Sequence, residues 1–285
     1  MLTKIRHYLE LIKFEHTLFA LPFAYIGMLL AAGGWPSPIT VLWITVAMTS
    51  ARTVAMGVNR IADRTIDANN PRTSDRPLVS GRITLRTAWV GTVVAGLCLV
   101  LAAWQLGPWS LRLLPGALVV LIGYSFTKRF TWLSHYILGI TDGLAPMGAW
   151  VAVRGSLLAP GDAPAWMLLG AVTLWIGGFD LIYACQDAAF DREAHLHAIP
   201  ARFGIRTALR VAAVGHALAL AILALVGIHT HLTWPYGVAV AVIAGLLVAE
   251  HYLVRPDDLS RLDLAFFNIN SWISLTLFVG VLTAL

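Results

Sequence analysis

Long apolar stretches recur along the whole chain, and short polar connections separate them. Each stretch is close to the roughly 20 residues that an α-helix needs to cross the hydrocarbon core of a bilayer. The pattern therefore predicts an all-α, polytopic membrane protein with about nine transmembrane helices in a single domain, residues 1–285. The predicted spans are residues 16–33, 39–59, 87–105, 109–127, 134–153, 164–183, 207–227, 234–252 and 264–285.

The composition supports a bilayer rather than a soluble core as the environment of these stretches. Hydrophobic residues make up 58% of the chain and charged residues 12%, and the mean hydropathy is +0.75. A soluble domain carries about 25% charged residues. The two cysteines, Cys98 and Cys185, lie inside apolar segments, so we expect neither a disulfide nor a zinc framework.

The Lys and Arg residues predict the orientation of the spans. With nine spans, all 20 of them except Arg52, Arg112 and Arg154 fall on the side of the N-terminus. We therefore expect a multi-pass protein of the cell (inner) membrane, with the N-terminus and the basic loops cytoplasmic and the C-terminus external. Basic loops also explain the net charge of +5, so the sequence predicts no nucleic-acid partner, and it indicates no obligate protein partner.

Two motifs place acidic residues four positions apart at the ends of the second and sixth spans. Residues four apart lie on one face of a helix, so each motif forms a polar strip. Both spans run in the same direction, which brings the strips to the same boundary of the membrane. The motif residues are Asn59, Asp63 and Asp67 in the first case, and Asp180, Tyr183, Asp187 and Asp191 in the second.

Four converging carboxylates repel one another in a low dielectric unless a cation lies between them. Carboxylate, water and phosphate oxygens are ligands that suit Mg²⁺. The alternative is that the acids pair with neighbouring arginines in a solvated loop. The matched spacing and shared side of the two motifs favour a magnesium site.

Basic residues near the motifs complete a site for a diphosphate. Arg72 and Arg76 lie four apart in a polar loop, and Lys128 lies one turn after Tyr124 at the end of the fourth span. Arginine offers forked donors to phosphate oxygens and lysine a mobile charge. Arg52 lies inside a span, where a charge needs a partner or a cavity. We expect it to bind diphosphate or an acceptor carboxylate.

The sequence resembles the UbiA superfamily of intramembrane prenyltransferases. The matching motifs are NxxxDxxxD from Asn59, YxxxDxxxD from Tyr183, RTxxRPL from Arg72 and YxxxK from Tyr124. The resemblance implies helices around a central cavity, Mg²⁺ as cofactor, and a polyprenyl diphosphate donor. It implies Asn59, Asp63, Asp67, Asp187 and Asp191 as catalytic metal ligands, and it adds Arg72, Arg76, Tyr124, Lys128 and Tyr183 to Arg52 as substrate-binding residues.

Residues 13–27, 68–78 and 190–204 look most like the futalosine-pathway menaquinone prenyltransferases. That resemblance implies transfer of the prenyl group to the ring of a hydroxylated aromatic acid, either 1,4-dihydroxy-6-naphthoate or 4-hydroxybenzoate, in menaquinone or ubiquinone biosynthesis. That subfamily has Gly-Leu-His-Ser after the second motif. In this chain His195 replaces the glycine and Ala198 the serine. Within the superfamily, a different lipid-soluble acceptor is an open alternative.

Two other classes of membrane protein use intramembrane acids. CDP-alcohol phosphotransferases carry their aspartates in one DGxxAR…GxxxDxxxD stretch, whereas Asp142-Gly143 is not followed by Ala-Arg here. A transporter that couples ions would place its acids near the middle of the bilayer, at broken helices. The acids of this chain lie at span ends beside basic loops. Asp142 itself is compatible with a role in the site or with a hydrogen-bonded helix contact.

Overall fold

The structure, a computed structural model, describes residues 2–262 and 268–285. Helices make up most of this part of the chain, as the hydrophobic pattern predicts. In chain order they are α1 (Leu2–Leu11), α2 (Phe14–Ala32), α3 (Pro38–Ala62), α4 (Arg64–Asn69), α5 (Leu85–Gln105), α6 (Pro108–Thr127), α7 (Ser134–Arg154), α8 (Ala163–Ala184), α9 (Ala188–Glu193), α10 (Ile199–Phe203), α11 (Ile205–His229), α12 (Trp234–Leu253) and α13 (Asn270–Ala284).

Seven of the described helical stretches are long and apolar enough to cross a membrane. Two further apolar stretches, Ala20–Ala32 within α2 and Asn270–Ala284, are shorter. The predicted count of nine spans is therefore not confirmed, although a helix lies at each predicted position. Residues 264–267, which begin the ninth predicted span, lie outside the described residues. The seven are Pro38–Ala62, Leu85–Gln105, Pro108–Thr127, Ser134–Arg154, Ala163–Glu193, Ile205–His229 and Trp234–Leu253.

The outer surface is apolar, as a membrane protein requires. Leu97, Val119 and Ile228 are 66%, 72% and 70% exposed on α5, α6 and α11. Large exposed apolar areas are unfavourable in water but not among lipid chains. The protein is therefore a multi-pass membrane protein.

Local sequence determines where the helices begin and end. Ser37 caps α3 by accepting a hydrogen bond from the Thr40 backbone N–H at 3.3 Å, and Pro38 occupies the first turn, where no donor is needed. Thr84 caps α5 in the same way through Thr87 N–H at 3.2 Å. These two caps fix where α3 and α5 begin.

Small residues allow the helices that surround the interior to approach closely. A Cβ atom on Gly27 of α2 would lie 2.1 Å from the carbonyl oxygen of Pro146 on α7. A Cβ on Gly139 of α7 would lie 2.3 Å from the carbonyl oxygen of Thr173 on α8. Close backbone approach through small residues is a common way of packing helices in membranes. The resulting α2–α7–α8 wall is one side of the cavity described below.

The two acidic motifs share a break in their helices. Asp63 lies between α3 and α4 with φ −92° and ψ 5°, and Asp187 precedes α9 with φ −94° and ψ 2°. The second acid of each motif, Asp67 or Asp191, lies on the short helix that follows. The predicted strip of each motif is thus not one continuous helix. The Asp67 N–H still donates to the Asp63 carbonyl at 2.8 Å, so the acids stay aligned.

Candidate active site

A cavity of about 760 Å³ opens among α3, α5, α6, α7 and α8. Every residue that the sequence predicts for the site lines this cavity. The structure therefore brings both acidic motifs, the basic loop and the end of α6 together. The predicted residues are Arg52, Asn59, Asp63, Asp67, Arg72, Arg76, Tyr124, Lys128, Tyr183, Asp187 and Asp191.

Four of the five motif carboxylates, all but that of Asp180, are each paired with one Arg or Lys side chain. The acids thus pair with basic residues, as the alternative to a magnesium site predicts. The pairs line the cavity, however, and do not lie in a solvated loop. Four positive charges and four negative charges balance one another here. The pairs are Asp63–Arg129 at 2.8 Å, Asp67–Arg76 at 2.7 Å, Asp187–Arg72 at 2.5 Å and Asp191–Lys128 at 2.7 Å.

Arg72 joins the first basic loop to the second motif. Its Nε donates to Asp187 Oδ1 at 2.9 Å, its Nη2 to Asp187 Oδ2, and its Nη1 to the Tyr183 hydroxyl at 3.3 Å. Asn70 adds a hydrogen bond to Asp187 Oδ1 at 3.1 Å. Burial disfavours the guanidinium charge, but the bonds to Asp187 outweigh it and raise the pKa of Arg72. This loop is therefore held against α8 by charge-assisted hydrogen bonds.

Asp63 is the corresponding acid of the first motif. Its Oδ2 accepts from Asn59 Nδ2 at 3.0 Å, and its Oδ1 accepts from Arg129 Nη2 at 2.8 Å. The same Arg129 nitrogen also donates to the Ala62 carbonyl at the end of α3. Burial raises the pKa of the Asp63 carboxyl and Arg129 opposes that effect. Burial thus disfavours the charged form of Asp63 by more than Arg129 favours it.

The oxygen atoms of the motif side chains suit Mg²⁺ as ligands, although the carboxylates are paired with basic residues in this structure. Within residues 2–262 and 268–285, no three His, Cys, Asp or Glu side chains group as ligands of one ion. The motif side chains offer carboxylate and amide oxygens and neither thiols nor imidazoles, which suits a hard divalent cation.

Two further polar pairs line the same cavity. Arg52 Nη1 donates to Asp142 Oδ1 at 3.1 Å. Asp142 is therefore the partner that the charge of Arg52 needs inside a span. His135 Nδ1 lies 2.7 Å from Asp180 Oδ2, and all four residues line the cavity. Tyr124 lies near the first pair, with its hydroxyl 3.4 Å from the Ala55 carbonyl oxygen.

Comparison with known proteins identifies the family. The sequence pattern of the UbiA prenyltransferase family matches residues 20–272. The chain belongs to this family. Two relatives that it resembles are 4-hydroxybenzoate octaprenyltransferases. The one from Methylobacillus flagellatus is 30% identical over 258 residues, 90% of this chain and 85% of the relative. The one from Marinobacter nauticus is 30% identical over 285 residues, 98% of this chain and 94% of the relative.

Solved UbiA structures share the fold. A UbiA homologue from Aeropyrum pernix K1 superposes with a TM-score of 0.86 at 32% identity, over 94% of this chain and 98% of the homologue. A UbiA homologue from Archaeoglobus fulgidus bound to GPP and Mg²⁺ gives a TM-score of 0.67 at 20% identity, over 97% and 99%. Membership of the UbiA family excludes the CDP-alcohol phosphotransferase alternative and leaves no support for a transporter.

The segment after the second motif, where this UbiA-family chain departs from its expected subfamily, packs beside Lys128. The His197 N–H donates to the Lys128 carbonyl at 2.7 Å, and the Ser134 hydroxyl donates to the His197 carbonyl at 3.4 Å. His195 adopts φ 54°, in the left-handed region that favours glycine. Its backbone thus keeps the conformation that a glycine would adopt most easily.

The sequence did not single out Arg129, Asn70 and His135 as site residues. Arg129 directly follows Lys128, and Asn70 lies two positions before Arg72, so proximity to a motif was the available signal for both. His135 is the second residue of α7 and carries no such signal. Its pairing with Asp180 joins two helices whose contact the hydrophobic pattern does not specify.

Proposed function

We propose that the protein transfers a polyprenyl group from a prenyl diphosphate to the ring of a hydroxylated aromatic acid. The observation that carries this proposal is the group of four carboxylates and four basic side chains at one end of a largely apolar cavity. The names of the relatives support it, since both act on 4-hydroxybenzoate. The resemblance to menaquinone prenyltransferases adds 1,4-dihydroxy-6-naphthoate as a second acceptor.

Mg²⁺ is the proposed cofactor, and the Archaeoglobus homologue bound to GPP and Mg²⁺ supports it. The residues that would hold it are Asp63, Asp67, Asp187 and Asp191, with Asn59 assisting. When bound, the metal supplies positive charge to the departing diphosphate. The substrate's phosphate oxygens would then replace the carboxylates as partners of the basic side chains. The carboxylates would thereby become available to hold the metal.

Arg72, Arg76 and Lys128 are the proposed diphosphate ligands. They already point into the cavity, where each holds a carboxylate at hydrogen-bond distance. When the allylic C–O bond breaks, its electron pair goes to the diphosphate, and fixed positive charge stabilises that change. Tyr183 orients Arg72 through its hydroxyl. Specific binding of the diphosphate thus precedes and assists ionisation.

The apolar side chains of α5 and α6 that line the cavity form the proposed binding site for the prenyl chain. Leu99 and Ala103 of α5 and Leu114 and Leu121 of α6 line the cavity beyond the charged end. An allylic cation formed there is protected from water, which would otherwise capture it. Arg52 and Tyr124 lie on the same path and are the proposed contacts for the acceptor, whose carboxylate would face Arg52.

We also propose that the charged end of the cavity faces the cytoplasm of the cell (inner) membrane. The basic residues of the connections near this end support that orientation. A cysteine added after Leu285 should be labelled from outside intact cells by a membrane-impermeant maleimide, whereas Asp75→Cys should not. Labelling of both positions, or only of residue 75, would contradict the orientation.

Turnover by the purified protein tests the activity. With Mg²⁺ and a polyprenyl diphosphate, the wild type should release diphosphate and prenylate one of the two aromatic acids, measured side by side. Asp187→Ala should abolish both products while eluting as the wild type does. Asp75→Ala is the matched control, because Asp75 is exposed and outside the cavity. If neither of the two acids yields a prenylated ring, the proposed function is refuted.

A further inference from the structure

Six aspartates line the cavity, and their partners differ in kind. Asp63, Asp67, Asp187 and Asp191 pair with Arg or Lys, and Asp142 pairs with Arg52. Asp180 instead pairs with an imidazole, His135. An arginine or lysine partner carries a permanent charge that opposes a proton on the carboxylate, whereas an imidazole partner need not carry one. Among the described cavity aspartates, Asp180 is thus the one that can take up a proton without facing an arginine or lysine partner.

The orientation of the pair agrees with that role. The His135 side chain is 4% exposed and that of Asp180 is 25% exposed, so the imidazole lies behind the carboxylate and the carboxylate faces the cavity. With Asp180 ionised, His135 Nδ1–H donates to Oδ2 at 2.7 Å. Oδ1 accepts no hydrogen bond from the described part of the chain. One oxygen is therefore held in place while the other is directed toward the space for a substrate.

The depth of the pair also matches the position of a reacting ring. Asp180 lies on α8, seven residues before Asp187 at the helix break, a distance of roughly 10 Å at 1.5 Å per residue. On α7, His135 precedes Asp142 by the same distance. The pair thus lies between the charged end, where a diphosphate would bind, and the deep Arg52–Asp142 pair. A ring with its carboxylate toward Arg52 and its reacting carbon toward the diphosphate passes beside Asp180.

We propose that Asp180 accepts the proton that the acceptor ring loses, and that His135 is its positioning residue. This inference rests on the proposed function. After the allylic C–O bond has broken, the ring carbon forms a C–C bond to the allylic carbon. The ring C–H bond then breaks, its electron pair restores aromaticity, and its proton bonds to Asp180 Oδ1. The carboxylic acid that results keeps the hydrogen bond to His135 through Oδ2.

Asp180→Asn tests the proposal, because an amide keeps the shape of the side chain without its basicity. We expect kcat to fall by roughly 10²- to 10⁴-fold, the usual contribution of a general base, with KM for the prenyl diphosphate unchanged. Proton loss then becomes rate-limiting. An acceptor deuterated at the substituted ring carbon should show a primary isotope effect in the variant that is larger than in the wild type. A packing role alone would not produce this effect.

His135 has its own pair of variants. His135→Asn places an amide donor near the position of Nδ1 and should retain more activity than His135→Leu, which removes the donor. His135→Leu should also increase the isotope effect, which keeps the test decisive if Asp180→Asn does not fold. Asp142→Asn is the matched control from the same cavity. It should change KM for the acceptor without changing the isotope effect.

The results separate this inference from the function on which it rests. If the wild type makes no prenylated ring, the proposed function fails and the proton acceptor with it. If the wild type turns over, the inference alone is overturned by an Asp180→Asn variant with wild-type kcat. An Asp180→Asn variant in which only KM rises overturns it as well. So does one in which kcat falls without an increased isotope effect.

Discussion

Arg72 holds the Asp187 carboxylate with two nitrogens, Nε at 2.9 Å from Oδ1 and Nη2 at 2.5 Å from Oδ2. The pair links the loop after α4 to the break after α8, so it connects the two acidic motifs. A lysine cannot reproduce this forked geometry, because its ammonium group is a single point charge. The substitution Arg72→Lys therefore separates the effect of geometry from the effect of charge.

Arg72→Lys should lower kcat/KM for the prenyl diphosphate by roughly 10- to 100-fold. One lost hydrogen bond to a charged group contributes about 1.5–3 kcal/mol, which corresponds to that range. The measurement is initial rate against donor concentration. Arg82→Lys is the control, since Arg82 lies in the same loop as Arg72 but bonds Glu10 of α1 and does not line the cavity. Equal losses in both variants would contradict a role for the forked contact.

Asn59 gives a prediction about metal affinity. Its Nδ2 donates to Asp63 Oδ2 at 3.0 Å, so it orients a proposed ligand even where it does not bind the metal itself. Loss of such an outer partner weakens metal binding by roughly 10- to 100-fold. Asn59→Ala should raise the Mg²⁺ concentration for half-maximal activity by that factor, and a chelator should abolish wild-type turnover.

The control for Asn59 is Asn69→Ala, an exposed amide at the end of α4 that lies outside the cavity. Its Mg²⁺ dependence should match that of the wild type. An Asn59→Ala variant with an unshifted Mg²⁺ curve would show that Asp63 is not a metal ligand, or that it needs no orientation.

The sequence could predict which residues share the cavity because helical spacing and charge bias are local properties. Asn59, Asp63 and Asp67 follow at intervals of four, and the second motif repeats the interval on a helix of the same direction. Those facts require no knowledge of which helices touch. The hydrogen bond from the Asp67 N–H to the Asp63 carbonyl preserves the interval across the first helix break, and both motifs line the cavity, so they converge even though the strips are not continuous.

The pairing inside the cavity could not be predicted in the same way. Arg129 joins Asp63 from 66 residues away, and His135 joins Asp180 from 45 residues away. Such pairs depend on which helices pack together, and that follows from close approaches such as Gly139 against Thr173. Small residues are frequent in all membrane helices, so their positions alone do not identify the partner helix.

The Arg52–Asp142 pair yields a stability prediction. Both side chains are largely buried and joined at 3.1 Å. Removing one member of a buried ion pair leaves an uncompensated charge and costs about 3–5 kcal/mol, whereas replacing both by apolar residues costs much less. Arg52→Met should therefore lower the thermal midpoint more than the double variant Arg52→Met/Asp142→Leu does, measured by heating and size-exclusion chromatography. A double variant less stable than the single one would contradict this.

His195 gives the last prediction, which concerns the segment beside Lys128. At φ 54° a residue with a Cβ atom is strained by about 1–2 kcal/mol relative to glycine, and a β-branched residue fits worst. His195→Gly should unfold no earlier than the wild type, whereas His195→Val should be less stable than His195→Gly by about that amount. The equivalent pair at His197, where φ is not positive, is the control and should show no preference for glycine. If His195→Val and His195→Gly have equal thermal midpoints, the left-handed conformation of this segment is not maintained in the folded protein.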